Sequence, residues 1–144
     1  MNEVINVLNE QVANWSVLYY KLHNFHWNVK GVHFYAFHEL FEKFYDEAAT
    51  YVDELAELAL IKGGVPIGTL KAVLEISSIE EAIGNESPKE MLETIKTDFE
   101  TIIAELSAGI SIAEDAKDEV VVSALLDIKA NLEKHVWMLG STLY

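Results

Sequence analysis

The chain has 144 residues, of which 51% are hydrophobic and 24% are charged, and its formal net charge is −14. This composition excludes an intrinsically disordered chain, and the acidic excess argues against binding of nucleic-acid phosphates, whose affinity comes mainly from Lys and Arg. The chain has no cysteine, so disulfides, thiolate zinc sites and cysteine nucleophiles are excluded. No apolar segment approaches the 18 residues of a membrane span, and Met1 to Glu3 show no basic start of a signal peptide. We therefore expect one soluble, cytoplasmic domain over residues 1–144.

Apolar residues recur three and four positions apart along four long segments, which predicts an all-α protein. A glycine at Gly31 is expected to end the first segment, and Gly63-Gly64 followed by Pro66 to end the second. Ser87 and Glu90 have the spacing of a capping box at the start of the third. The predicted long helices are about Glu3–Val29, Phe34–Ile61, Pro88–Ala113 and Asp118–Leu139.

About twenty residues separate the second and third long helices, and only Thr69–Glu75 could form a short helix there. One long crossover of this kind is typical of the ferritin-like four-helix bundle, whereas short loops alone give a simple up-down bundle. The predicted architecture does not by itself indicate a function.

Histidines and carboxylates suggest a metal site. His26 continues the apolar stripe of the first helix, and His38 precedes Glu42 by one helical turn. Asp53 and Glu57 form a second such pair on the same helix, and each pair lies on one helix face. Imidazole together with carboxylate is a ligand set for iron and other first-row divalent metals.

Distance limits how these two pairs can act. Asp53 lies 15 residues after His38, which is about 22 Å along one helix, so one chain cannot bring both to the same ion. Either the pairs are unrelated, with Asp53 and Glu57 on a solvated face, or an antiparallel second chain supplies the carboxylates across a two-fold axis near Tyr45–Glu47. The Glu-x-x-His motif of intra-bundle di-iron sites is missing from the sequence, which disfavours a conventional ferritin or di-iron oxygenase.

The motifs around these residues resemble the signature of the Dps family of mini-ferritins. The resemblance covers nearly the whole chain in order and spacing. Its segments are residues 23–31 (HNFHWNVKG), 33–34 (HF), 38–39 (HE), 46–49 (DEAA), 53–57 (DELAE), 63–66 (GGVP) and 134–138 (KHVWM).

The resemblance implies a dodecameric shell that binds Fe(II), oxidises it mainly with hydrogen peroxide and stores ferric oxide inside. It also implies ferroxidase centres at two-fold interfaces, with His26, His38 and Glu42 from one chain and Asp53 and Glu57 from its partner. Glu42 matches a family position that is often aspartate.

Further roles follow from the resemblance. Trp27 matches a tryptophan thought to lie near the iron, where it can be oxidised in place of releasing a radical; interface packing is the alternative. Glu114, Asp118 and Glu119 match an acidic iron-uptake pore at a three-fold axis, although Ser123 replaces a carboxylate found in some members. Packing or structural roles are expected for Trp15, Trp137, His23, His33 and His135. For His23 or His33, help in delivering iron is the alternative.

Two other function classes are compatible with a helical bundle. One is a nucleoid-associated DNA-binding protein with incidental metal sites, and the other is a helical scaffold without chemistry. Family members that coat DNA commonly use a Lys-rich tail, and neither end of this sequence offers a polycation. We therefore expect weak or absent DNA binding, with iron and peroxide as the substrates.

Overall fold

The structure is a computed structural model that describes residues 2–144, so Met1 lies outside the described residues. The helices are α1 (Asn2–Asn28), α2 (Phe34–Ile61), α3 (Leu70–Ile76), α4 (Pro88–Asp115) and α5 (Glu119–Leu143). The all-α prediction is confirmed, with four long helices and a short helix in the crossover. None of the helices within residues 2–144 combines the length and apolar character needed to span a bilayer.

Most of the predicted helix boundaries agree with those in the structure. The largest difference is at the end of α5. The Ser87–Glu90 capping box is present: the Glu90 backbone N–H donates to the Ser87 hydroxyl, and the Ser87 N–H donates to the Glu90 carboxylate, both at 3.1 Å. Gly63, with a φ of +83°, follows the end of α2. The α5 helix continues to Leu143 instead of ending at Leu139, because the glycine at Gly140 is tolerated inside it.

The long helices pack as two pairs, α1 along α2 and α4 along α5, and α1 also contacts α3 and α4. Their apolar faces share a continuous core. The largest fully buried side chains in that core include Trp15, Phe25, Phe41, Phe44 and Phe99. The α1–α2 pair positions the predicted metal ligands, since all five of them lie on these two helices.

Two asparagines of α1 hold the crossover against the bundle. The Asn9 side-chain oxygen accepts the Ile67 backbone N–H at 3.0 Å. Asn14 is fully buried, and its oxygen accepts the Ser77 hydroxyl at 3.1 Å and the Ser78 N–H at 2.9 Å. Buried amides are costly without partners, so these bonds specify the path of the chain between α2 and α4.

Candidate metal centre

His26 and His38 form a stacked pair between α1 and α2, with ring centroids 3.6 Å apart and planes inclined by 14°. The Nδ1 atom of each ring lies 2.7 Å from the backbone oxygen of the other histidine. A carbonyl oxygen can only accept, so each Nδ1 must carry the hydrogen and donate it. In the neutral ring the Nε2 lone pair is then free, as a metal ligand requires. The two helices therefore orient both imidazoles so that Nε2 is the nitrogen available to a metal.

The turn between α1 and α2 makes this pairing possible. Gly31 has a φ of +117°, a value that favours glycine, and its carbonyl accepts the Phe34 N–H at 3.1 Å. Phe34 then stacks on His38 with ring centroids 4.9 Å apart. Only 7% of His26 is exposed, so packing holds the ring pair in place.

Glu42 is the third group at the pair. Its Oε1 lies 3.9 Å from Nε2 of His26, and 53% of its side chain is exposed. The structure therefore places Glu42 beside His26, and a shared metal ion held by His26, His38 and Glu42 stays a prediction. The carboxylate lies on the same side as the free Nε2 atom of His26 and can supply negative charge to a bound cation.

Asp53 and Glu57 lie elsewhere. Both are exposed on α2, and the helix is continuous from Phe34 to Ile61, which keeps Asp53 about 22 Å from His38 along its axis. Among residues 2–144, no three His, Asp or Glu side chains converge as a metal site within the single chain. The structure thus pairs the two imidazoles, places Glu42 near His26, and leaves Asp53 and Glu57 apart from them.

An aromatic cluster of Tyr19, His23, Trp27 and Tyr45 adjoins the histidine pair. Tyr45 meets the His26 ring edge-on at 5.3 Å and stacks on His23 at 3.6 Å. Burial, together with the Glu42 and Asp46 carboxylates, raises the pKa of Tyr45, so its phenol is protonated near neutral pH. Trp27 is 65% exposed and contacts His23 at 5.3 Å. Sequence reasoning missed Tyr45, although its position one turn after Glu42 was a usable signal.

Comparison with known proteins identifies the family. Residues 5–144 match the ferritin-like domain family. The DNA protection during starvation protein 2 of Bacillus anthracis is 52% identical over 141 residues, which cover 98% of this chain and 97% of that protein. The crystal structure of Dps from Staphylococcus aureus has a TM-score of 0.99 and 45% identity, covering 100% of this chain and 97% of that one. The chain belongs to the Dps family. A crystal structure of a Dps protein from Bacillus brevis is also similar, with a TM-score of 0.97, 51% identity and coverage of 98% and 95%.

The acidic residues predicted for the Dps-type pore gather at the α4–α5 junction. Glu114, Asp118 and Glu119 line one surface pocket, together with Ser123 and with Asp127, which the sequence reasoning missed. Glu114 and Glu119 are exposed there. Asp127 follows Ser123 by one turn of α5, so its carboxylate extends the acidic lining past the serine.

Asp118 already has partners. Its side chain is only 7% exposed, and its Oδ1 lies 3.0 Å from Nζ of Lys62 and accepts the Val121 N–H at 3.1 Å as the α5 cap. Burial alone would raise the pKa of Asp118, but the Lys62 and backbone hydrogen bonds lower it below its usual value. The carboxylate is therefore ionised and used within the fold, in contrast to those of Glu114 and Glu119.

His135 belongs to a separate polar cluster between α2 and α5, formed by Glu47, Tyr51, Asn131 and His135. Nε2 of His135 lies 2.8 Å from Glu47, and the Asn131 amide donates to Tyr51 at 2.7 Å and to Glu47 at 3.2 Å. The ring is buried against Phe44 and Phe99. These contacts support the structural role predicted for His135, which joins α2 and α5.

The remaining predicted residues have simpler surroundings. Trp15 is buried at 1% exposure, as expected for a packing residue, whereas Trp137 is 68% exposed, so its predicted packing role is wrong within this chain. His33 is exposed and precedes α2 without a side-chain cap bond.

Proposed function

We propose that the protein stores and detoxifies iron by oxidising Fe(II) with hydrogen peroxide at ferroxidase centres shared between two subunits. The observation that carries this proposal is the reciprocal bonding of His26 and His38 through Nδ1, which leaves their Nε2 atoms free, with Glu42 near that of His26. The burial of His26 and the stacking of Phe34 on His38 hold both rings in place before iron arrives, which reduces the cost of binding.

A second chain is proposed to complete each centre. The exposed Asp53 and Glu57 cannot reach the histidines of their own chain, yet they lie on the same helix as His38. If two α2 helices pair antiparallel across a two-fold axis, each carboxylate pair faces the other chain's histidine pair, and each dimer contains two equivalent centres. Membership of the Dps family supports closure of such dimers into a hollow dodecamer.

The chemistry follows from the electron count of peroxide. Two Fe(II) ions each give one electron to one hydrogen peroxide molecule, which takes up two protons and leaves as two waters, so no hydroxyl radical is released. Carboxylates favour the more highly charged Fe(III) product, and the imidazoles hold the ions in place. The Fe(III) is then stored as mineral inside the shell.

The acidic pocket at the α4–α5 junction is proposed as the iron-uptake pore where three chains meet. Glu114, Glu119 and Asp127 would supply the free negative charge, and the Asp118–Lys62 pair would hold the start of α5. Focusing of potential by a charged cleft raises cation on-rates by about 10–10³-fold and weakens with salt.

The protein is proposed to protect the cell by removing Fe(II) and peroxide, and not by coating DNA. Relatives carry names that refer to DNA protection, but a net charge of −14 opposes binding to a polyanion. A gel shift with linear duplex at low salt checks this, and tight, salt-sensitive binding would favour the nucleoid-associated alternative.

The proposed activity is tested by titrating the purified protein with Fe(II) and peroxide. We expect consumption of two Fe(II) per peroxide, faster than in protein-free buffer, with few spin-trapped hydroxyl radicals. A rate and radical yield equal to those of the buffer would overturn the proposal.

A further inference from the structure

An ion pair between Lys62 and Asp118 joins the end of α2 to the start of α5. The Lys62 Nζ and Asp118 Oδ1 atoms lie 3.0 Å apart, with 20% of the lysine side chain and 7% of the aspartate side chain exposed. Both residues belong to one chain, and the association of further chains can only bury them more deeply. The pair therefore forms without help from a neighbouring subunit.

Backbone contacts hold both partners in place. The Lys62 N–H donates to the Leu58 carbonyl at 3.0 Å, which puts the ammonium at the C-terminal end of α2. The Asp118 carboxylate accepts the Val121 N–H at 3.1 Å at the start of α5. A cation at a helix C-terminus and an anion at a helix N-terminus are both favourable. The chain's own groups therefore compensate the Asp118 carboxylate in charge and in hydrogen bonding.

The other carboxylates of the same pocket differ from Asp118. Glu114, Glu119 and Asp127 line the pocket with it, as does Lys117. Of these four carboxylates, Asp118 is the only one that forms an ion pair within residues 2–144 of the chain. The pocket thus holds one neutralised carboxylate and three that keep their charge.

Resting on the proposed iron-uptake pore, we infer that Lys62 sets the charge of this pocket by neutralising Asp118, so that Asp118 neither draws nor binds the incoming Fe(II). Lys62 is a positioning residue that acts through Asp118. Attraction of Fe(II) then depends on Glu114, Glu119 and Asp127. The inference separates Asp118 from Glu114 and Glu119, with which the sequence groups it.

A double-mutant cycle on the assembled protein distinguishes these roles. Asp118→Asn keeps an N-cap for α5, because Asn caps a helix as well as Asp, but it leaves the Lys62 ammonium unpaired at the pocket. At limiting Fe(II) and low salt, its initial rate of peroxide-dependent Fe(II) oxidation should fall several-fold. Adding Lys62→Gln removes the unpaired cation and should restore the wild-type rate. If Asp118 bound incoming iron, the double variant would lack that ligand and stay slow.

Two controls separate charge from structure. The deficit of Asp118→Asn should shrink as ionic strength rises, because salt screens the unpaired cation, whereas a purely structural defect would persist. The matched pair is Lys96 with Glu100 on α4, where Glu100 precedes Glu114 by 14 residues, or about 21 Å of helix. Glu100→Gln makes the same change in net charge and should react at the wild-type rate. Light scattering checks that each variant forms the shell.

A second measurement needs no variant. Crystals of the wild-type protein are soaked in Co²⁺, and anomalous diffraction locates the ions. Asp118 should keep Lys62 as its partner and carry no Co²⁺, and an ion bound to the Asp118 carboxylate would overturn the inference.

Failure of this inference is distinguishable from failure of the proposed function. If wild type shows no peroxide-dependent Fe(II) oxidation, the ferroxidase proposal falls, and if Glu119→Gln reacts as fast as wild type at low salt, the pore proposal falls. If Glu119→Gln is slow, two results would overturn the role of Lys62 alone. One is Asp118→Asn reacting at the wild-type rate, and the other is a double variant as slow as Asp118→Asn.

Discussion

Two histidine environments in the same bundle use the imidazole ring in different ways. At the candidate metal centre, His26 and His38 donate through Nδ1 to backbone carbonyls and keep Nε2 free. At the α2–α5 cluster, His135 uses Nε2 to bond Glu47. The comparison shows that burial alone does not make a ligand: Nε2 of His135 is already bonded to a carboxylate of the fold, whereas Nε2 of His26 and of His38 has no hydrogen-bond partner among the described residues.

The largest expected effect is loss of the ligand at His38. His38→Ala should lower the initial rate of peroxide-dependent Fe(II) oxidation by more than about 100-fold, because removing even a supporting partner of a metal ligand costs about 10–100-fold. The exposed His33 provides the control, and His33→Ala should react at the wild-type rate. Retained activity in His38→Ala would place the centre elsewhere.

The opposite outcome is expected at His135. His135→Leu keeps an apolar contact with Phe44 and Phe99 but leaves the Glu47 carboxylate with only the Asn131 amide as a donor, which should lower the free energy of unfolding by about 1–3 kcal/mol. The rate of iron oxidation should stay at the wild-type value. Denaturant unfolding at one fixed protein concentration measures the first effect, because oligomer stability depends on concentration. If His135→Leu forms a folded shell but loses most of its iron-oxidation activity, the two histidine sites do not differ in the way described.

The contribution of the Glu47 charge to stability should depend on pH. Burial raises the pKa of Glu47, but the hydrogen bonds from His135 and Asn131 outweigh it and lower the pKa below the usual 4.5. A carboxyl whose pKa is depressed in the folded state stabilises the fold above its unfolded pKa, and this stability is lost as pH falls through the folded value. Wild type should therefore exceed Glu47→Gln in the free energy of unfolding by about 1 kcal/mol near neutral pH. The difference should begin to fall near pH 4.5 and be lost as pH drops through the lower pKa of the folded state. A difference that is independent of pH would show that the charge is not involved.

The smallest expected effect is at Tyr51. Tyr51→Phe removes the acceptor of the Asn131 amide, which should cost about 0.5–1.5 kcal/mol in the free energy of unfolding. Burial raises the pKa of Tyr51 to about 12, so the phenol stays neutral and the cost should be the same at pH 6 and pH 9. A cost that grows between these two pH values would contradict this picture of a neutral phenol.

The sequence predicted the helices and the placing of His26, His38 and Glu42 on the neighbouring helices α1 and α2, because both depend on local spacing. The apolar stripe placed His26 on the buried face of α1, and the turn at Gly31 ended that helix. The reciprocal bonds between His26 and His38 could not be predicted, since they depend on how the 29–33 turn orients two helices. The pairing of Asp118 with Lys62 and the stacking of Tyr45 on His23 join residues distant in sequence, which local patterns do not encode.

The central claim is that each metal centre is built from two chains, and subunit mixing tests it most directly. Inactive His38→Ala and Asp53→Ala proteins are dissociated, mixed in equal amounts and reassembled, with wild type taken through the same cycle. Random pairing places an intact His38 opposite an intact Asp53 in about one quarter of centres, so the mixture should recover about one quarter of wild-type activity. A mixture that stays as inactive as either parent, while wild type survives the cycle, would contradict a shared centre.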